Sequence, residues 1–443
     1  MTAPISFHEL SKLTAQQRTA LTRRSEADLS AFFDRVRPII EAVRQEGDAA
    51  LVRFAAEFDH SAIDLNRIKV EKRAFDDAFA KVETEVIDAI AFAVDNIRRF
   101  HQDQKPEEMW LHEIRPGAFA GDRFLPIPSV ACYVPRGKGS FPSVVMMTSV
   151  PAVVAGVPHI SIITPPGPDG EVDAATLVAA RMAGVENVYK CGGAQGIAAV
   201  AYGTQTVPKC AKVLGPGSPF VVAAKRLLSD VIDPGVPAGP SESIILTDET
   251  VSGRLAALDL LIEAEHGPDS SAYLVTSSRA VADEAIAALA DYWQQMSPQR
   301  VEFSSKVLGG KQGGVLLATD MDDAIAFVNE YAPEHLEILS EEPFAYLGKI
   351  ANAGEVLLGK HTPVTLGNFV LGPNAVLPTG QAARTASPLS VFDFMKRMSV
   401  GYVTKPGYAE LAKHARVLAR YEGFDAHANA VSELRQAALA HRR

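Results

Sequence analysis

From residue 129 the chain reads SVACYVP (129–135), PSVVMMTSVPAVVAG (142–156), HISIITPP (159–166) and EVDAATLVAARMAGV (171–185). It continues NVYKCGG (187–193), AQGIAAVAYGT (194–204), KVLGPG (212–217) and SPFVVAAKRLLSDV (218–231). The short runs are apolar without alternation, as strands buried on both faces must be. The longer runs between them have helical length and spacing. Strands alternating with crossover helices predict an open parallel sheet with helices on both faces. After PGVPAGPSES (234–243) the alternation restarts with SIILTD (243–248), VSGRLAALDLLIEAEHG (251–267), SAYLVTS (271–277) and RAVADEAIAALADYWQQM (279–296). A second α/β unit ending near residue 385 is expected. Residues 1 to about 125 have helical periodicity, as in AFDDAFAKVETEVIDAIAFAVDNIRRFHQDQKP (74–106). From SVFDFMKRMSV (390–400) the chain is expected to return to helix and to end in the basic tail RQAALAHRR (435–443), which packs on another domain or subunit.

At 443 residues the chain has room for two or three cores. It is 47% hydrophobic and 22% charged, with a formal net charge of −10. That acidity, without an arginine-rich stripe, argues against nucleic acid as a partner. Its longest apolar stretches are interrupted by proline and too short to span a bilayer. No basic flank followed by an apolar run marks a signal peptide at the N-terminus. Three unpatterned cysteines, Cys132, Cys191 and Cys210, suit reduced thiols in a cytoplasmic protein better than a disulfide framework.

Gly-rich turns follow three expected strands of the first unit: GKGSFPS (137–143), CGGAQG (191–196) and LGPGS (214–218). The first has Pro142 where the dinucleotide fingerprint wants glycine. Each turn alone is also an ordinary tight connection, but several at the carboxyl side of one sheet suit a phosphate-bearing ligand. In EAEHGPDS (263–270), Glu263 and His266 share a helix face near Gly267 and Pro268, where they could hold one metal or form a solvated polar rim. In NEYAPEHLEI (329–338), Glu334 and His335 follow Pro333. They suit a water activator and a proton acceptor, or equally a charged first turn of a helix. Glu422 and His427 in YEGFDAHANAV (421–431) would ordinarily be exposed helix residues.

Together these stretches resemble the histidinol dehydrogenase family along nearly the whole chain. The resemblance is carried by YVPRGKGSFPSVVMM, GGAQGIAAVAYGT, GPGSPFVVAAKR, PAGPSE, EAEHGPDS, NEYAPEHLEI, LGNFVLGPNAVLPTG, FDFMKRMSV and EGFDAHANAV, in matching order and spacing. It implies an α/β fold of two incomplete Rossmann-like parallel-sheet domains with helical N-terminal and C-terminal extensions. The expected division is an N-terminal helical arm at 1–30, a metal-bearing and catalytic domain at 31–132 and 243–385, an NAD-binding domain at 133–242, and a helical tail at 386–443. The resemblance further implies a zinc-containing, NAD-dependent enzyme that oxidises a primary alcohol through the aldehyde to the carboxylate. It also implies a homodimer whose C-terminal tails intertwine, each helping to complete the partner's site.

Carried over by position, Glu334 matches the group that activates water and His335 the base that takes the alcohol proton. Glu263, His266, Asn368 and His427 match metal positions. Ser241, Asn368 and Glu422 match substrate contacts, and Tyr133, Gln195 and Ser218 match cofactor contacts. Three departures stand out: Glu263 where the family has Gln, Asn368 where it has Asp, and Ser218 where it has Asn in GPGN. The first two exchanges together conserve a formal charge of −1. A fourth lies in VTLGNFVLGPNAVLP (364–378), where Ala375 replaces a histidine that contacts the amino-alcohol substrate. A lost polar contact predicts a changed substrate. Within the family the chain most resembles the branch that oxidises 2,3-dihydroxypropane-1-sulfonate to sulfolactate in organosulfonate degradation. Two vicinal hydroxyls would suit an oxygen-richer shell, and Lys360, His361 and Arg384 are candidates to meet the sulfonate. The alternatives are L-histidinol oxidation with a variant pocket and a zinc- or nucleotide-binding paralogue without catalysis.

Overall fold

The computed structural model describes residues 4–24, 29–136 and 139–440. Gly137 and Lys138 of GKGSFPS, residues 1–3 and 25–28 of the N-terminal arm, and residues 441–443 of the basic tail lie outside the described residues. Two units are each compact: one comprises Met1–Lys105 and Ile127–Phe394, the other Pro106–Pro126 and Met395–Arg443.

The first unit opens with β1 (Phe7–Glu9), α1 (Ala15–Leu21), α2 (Ser30–Glu46), α3 (Asp48–Phe58), α4 (Lys72–Lys81) and α5 (Thr84–Gln104). The second unit takes the next two strands, β2 (Met109–Arg115) and β3 (Ala118–Pro126). Back in the first unit, β4 (Ser129–Tyr133), α6 (Pro142–Ala155), β5 (His159–Thr164), α7 (Ala174–Ala183), β6 (Val188–Lys190), α8 (Gly193–Tyr202), β7 (Lys212–Leu214) and α9 (Pro219–Leu227) alternate as the hydrophobic pattern predicts. Their strands form a parallel sheet in the order β6-β5-β4-β7. That order is the mononucleotide-binding half of a Rossmann fold. Gly215 follows β7 with φ +112°, and a Cβ there would lie 2.1 Å from the Tyr133 carbonyl oxygen. Only glycine lets the two strand ends come this close.

The second sheet uses β8 (Glu242–Thr247), α10 (Gly253–Ala264), β9 (Ser271–Thr276), α11 (Arg279–Trp293), α12 (Pro298–Leu308), β10 (Gly313–Leu317), α13 (Met321–Tyr331), β11 (His335–Leu339), α14 (Phe344–Leu347), β12 (Glu355–Leu358) and α15 (Val364–Phe369). It is parallel throughout, in the order β1-β10-β9-β8-β11-β12. One face buries Ile245, Leu274, Leu339 and Leu357 against α10 and α11; the other buries Ile244, Leu336 and Ile338 against α13. Two parallel sheets with helical additions are thus present, as expected.

The second unit adds β13 (Met395–Val403), α16 (Lys405–Tyr421), α17 (Asp425–Ala430) and α18 (Glu433–Ala440). Its strands make an antiparallel sheet, β13-β3-β2.

Three expectations need correction. The N-terminal arm is not wholly helical, because residues 7–9 pair with β10 and extend the six-stranded sheet. Residues 31–132 do not all go with 243–385. Val36, Ile40, Leu51 and Phe54 of α2 and α3 share a core with Ala131, Ala198 and Val213 of the four-stranded sheet, and β4 lies within that sheet. Finally, the tail begins with a strand: residues 395–403 pair with β3, and this partner overrides their helical appearance.

The arm is tied to β8 by a buried ion pair. Arg24 donates through Nε and Nη2 to the two oxygens of Glu242 (2.9 and 3.0 Å), and its guanidinium lies 3.5 Å from the Tyr331 ring centroid. Breaking such a pair strands a buried carboxylate. Arg24→Met is therefore expected to destabilise the chain by about 3–5 kcal/mol, seen as a lower midpoint in urea unfolding. An unchanged midpoint would contradict this role for Arg24.

Candidate active site

Acidic and imidazole side chains converge at the amino-terminal edge of the six-stranded sheet. Ser241 precedes β8, Glu334 precedes β11, and His335 and Glu355 are the first residues of β11 and β12. Open α/β sheets usually bind ligands at the opposite, carboxyl edge. The turn into β11 is special in its backbone. Ala332 caps α13 at φ 54°, a left-handed conformation uncommon for alanine, and Pro333 follows. This turn ends the helix and sets Glu334 at the strand entrance. The charged first helical turn left open by the sequence does not form.

Glu334 and His335 are both buried, at 7% and 2% exposure. The backbone N–H of Glu242 donates to Glu334 Oε2 (2.9 Å). His335 Nε2 lies 4.0 Å from Glu334 Oε1, and His335 Nδ1 bonds Glu355 Oε2 at 2.9 Å. That second bond orients the ring and leaves Nε2 on the side of Glu334, available as a base would need. Burial pushes the Glu334 carboxyl up to about 8 despite the nearby imidazole. Burial alone would lower His335, but its hydrogen bond to Glu355 and the charges of Glu334 and Glu263 carry it up to about 9.

Glu263, at the end of α10, is almost wholly buried, at 1% exposure. His266 Nδ1 lies 3.0 Å from its Oε2, and Asn368 Nδ2 donates to its Oε1 at 2.7 Å. Burial opposes ionisation of Glu263, yet His266 and these contacts outweigh it and bring the carboxyl down to about 2. His266 rises to about 9, chiefly from the Glu263 charge. Its Nδ1 also faces the Ile262 carbonyl at 3.1 Å. An Nδ1–H held there would leave Nε2 as the nitrogen open to a metal. Glu263 thus contacts both an imidazole and an amide, and carboxylate and imidazole are donor types that zinc takes. Among the described residues no group of three or more His, Cys, Asp or Glu side chains could hold a metal. A metal held by Glu263 and His266 would need the Asn368 amide and a further ligand besides.

Tyr133, Gln195 and Ser218 lie at the carboxyl edge of the four-stranded sheet. The N–H of Gly193, at φ +58° in the turn opening α8, points to the Tyr133 hydroxyl at 3.4 Å, and Gln195 is buried in that helix's first turn. Ser218 is the N-cap of α9, yet its side chain makes no capping bond and stays exposed. A cavity of about 500 Å³ runs beside Gly215, Gly217 and Lys225, along Pro234–Gly239, to Thr379 and Gly380. A smaller cavity shares Arg24, Thr379 and Gly380 with it and reaches Ser241. Together these hollows run from the Gly215–Gly217 turn to Ser241 and Glu242 at the start of β8.

Other expected residues fall elsewhere. Arg384 is exposed and donates to the Glu330 carbonyl of α13, and Lys360 pairs with Glu341 at 2.6 Å. His361 is exposed. Among the described residues, the hydrogen bonds and ion pairs of Glu334 and His335 involve none of these three. Glu422 ends α16 and His427 lies in α17, both exposed and both in the second unit. Sequence reasoning missed Glu355, the positioner of His335. Its signal was a carboxylate opening the apolar run of a strand in NAGEVLLG (352–359). It also missed Glu242 and Arg24, whose pairing spans 218 positions.

The family model for histidinol dehydrogenase matches residues 22–435. The chain is 66% identical to a "histidinol dehydrogenase homolog 2" of Mesorhizobium japonicum, over 98% of this chain and 99% of that one. It is 48% identical to a histidinol dehydrogenase of Synechocystis, over 96% and 98%. The crystal structure of histidinol dehydrogenase from Elizabethkingia anophelis superposes with a TM-score of 0.91 at 32% identity, over 99% of each chain. With its two parallel sheets and this agreement over nearly its full length, the chain belongs to the histidinol dehydrogenase family of oxidoreductases.

Proposed function

We propose that this chain is a zinc-containing, NAD-dependent four-electron dehydrogenase whose substrate is 2,3-dihydroxypropane-1-sulfonate, oxidised through the aldehyde to sulfolactate. The observation that carries the substrate reading is the 2.7 Å hydrogen bond from Asn368 to Glu263. The two exchanged residues touch, so carboxylate and amide have traded places while the local charge is kept. Glu263 and His266 would hold the zinc, with the Asn368 amide and His427 of the partner subunit. When bound, the metal would orient and polarise the substrate oxygens. An oxygen-richer shell suits a vicinal diol. Half-buried Ala375 offers no imidazole to a nitrogenous substrate.

In the first oxidation His335 Nε2 takes the hydroxyl proton, and NAD, held beside Tyr133 and Gln195, would accept the hydride from the carbinol carbon. Glu334 then removes a proton from water as it adds to the aldehyde carbon. His335 takes a hydroxyl proton from the resulting hydrate while a second hydride leaves. In sum, one alcohol, one water and two NAD⁺ give one carboxylate, two NADH and three protons. No nucleophilic thiol takes part. Burial lifts the thiols of Cys132 and Cys210, to about 12 and about 11, and lifts that of Cys191 further.

Assembly through intertwined tails is part of this reading. The second unit exposes Trp110, Ile114, Tyr402, Leu418, Tyr421 and Phe424, an apolar surface that a second copy would cover. Mixing inactive Glu334→Gln and His427→Ala chains under exchange conditions is then expected to restore about a quarter of wild-type activity. Statistical pairing makes half the dimers hybrid, and each hybrid has one intact site. No recovery in verified hybrids would sink the shared-site reading.

Substrate choice is tested by steady-state NAD reduction. 2,3-Dihydroxypropane-1-sulfonate should give a kcat/KM at least about 100-fold above that of L-histidinol. Efficient histidinol turnover without sulfonate activity would overturn the reading in favour of L-histidinol oxidation. With no alcohol reducing NAD, a non-catalytic role would stand instead.

Proton inventory sets the pH dependence. Glu334 and His335 act as bases and must lose protons held up to about 8 and about 9. Activity should therefore rise with pH from 7 toward 9, with the limb at lower pH when a dication is bound. Glu334→Gln should lower kcat by about 10²–10⁴-fold. A kcat/KM that falls steadily from pH 6 to 9 would contradict these roles.

A further inference from the structure

Strand β11 carries an anomaly two residues beyond the catalytic base. Glu337 is completely buried, at 0% exposure, and lies in a sheet row between Ile245 and Leu357. Neither carboxyl oxygen has a hydrogen-bond partner in good geometry among the described residues, and the Val364 backbone N–H faces the carboxyl. Its neighbour is another acid: Asp259 of α10, 5% exposed, within hydrogen-bond reach of Glu337. Two carboxyls cannot meet in an apolar interior with both ionised, so one must carry a proton and donate it to the other. Burial and the facing Asp259 push Glu337 up to about 10, and Asp259 also moves upward.

The location gives this contact a purpose. Asp259 and Glu263 are four residues apart, on one face of α10. Glu337 and His335 are two apart, on one face of β11. The acid pair therefore lies one helical turn and one strand repeat beneath the residues proposed to hold zinc and to accept the proton.

We propose that Asp259 and Glu337 are positioning residues: a proton-sharing carboxyl pair that fixes the metal-holding end of α10 against the catalytic end of β11. This rests on the zinc-dependent reading given above. A shared O–H···O bond is directional, whereas apolar packing would let the helix slide. The pair touches no reacting atom and acts through Glu263 and His335.

The test compares Glu337→Gln with Glu337→Met, and Asp259→Ala from the other side. Three readouts are taken: zinc affinity by competition with a chromogenic chelator, amide hydrogen exchange of residues 261–266 in the metal-free protein, and kcat with KM for NAD. A Gln N–H can replace the shared proton, so Glu337→Gln should stay within about threefold of wild type. Glu337→Met fills the space without the bond. It should weaken zinc binding about 10–100-fold, speed exchange at 261–266 and lower kcat with KM for NAD unchanged. Asp259→Ala should behave like Glu337→Met, and it decides the matter if Glu337→Met does not fold. Wild-type zinc affinity, exchange and kcat in either Glu337→Met or Asp259→Ala would overturn the proposal. Failure of the wild type to bind zinc would remove the zinc reading, and the exchange data alone would then judge the pair.

Discussion

The site depends on keeping Glu263 ionised while it is buried. A carboxylate taken out of water is costly unless charge and hydrogen bonds compensate it. Here His266 supplies the charge and Asn368 an N–H, at 3.0 and 2.7 Å. The three groups come from α10, the loop after it and α15, so the electrostatic requirement also holds three segments together. Gly367 contributes by its smallness: a Cβ there would lie 2.8 Å from Glu355 Oε1. Its absence lets α15 approach the carboxylate that orients His335. Neighbouring residues of one short helix, Asn368 and Gly367, thus lie against Glu263 and against the carboxylate that orients His335.

The two sheets divide the chemistry by their edges. The four-stranded sheet carries the Gly193 and Gly215 turns at its carboxyl edge, the edge where open α/β sheets bind ligands. The six-stranded sheet offers its amino edge, where parallel strands begin in register: Ser243, His335 and Glu355 are direct neighbours. The segment 234–242 joins one edge to the other and lines the cavity between them.

Much of this was legible in the sequence, for a physical reason. Strands buried on both faces read as unbroken apolar runs, so all four strands of the smaller sheet and β8 and β9 of the larger were foreseen. The pairs Glu263–His266 and Glu334–His335 were visible because each is local. What escaped were features made by distant partners. Residues 7–9 become a strand only because β10 has a free edge, and residues 395–403 only because β3 does. Glu355 and Glu337 look like the solvated positions of alternating strands until the sheet buries them. Arg384 and Lys360 seemed available to an anion, yet each is engaged by a surface group that no local pattern reveals.

In the proposed reaction one site takes a primary alcohol to the acid, with Glu334 activating the water that the second oxidation needs. Counting NADH formed against 2,3-dihydroxypropane-1-sulfonate consumed, with the product identified by mass spectrometry, tests it most directly. Two NADH per alcohol, with sulfolactate as product and no free aldehyde, is the predicted result. One NADH per alcohol with the aldehyde released would contradict it.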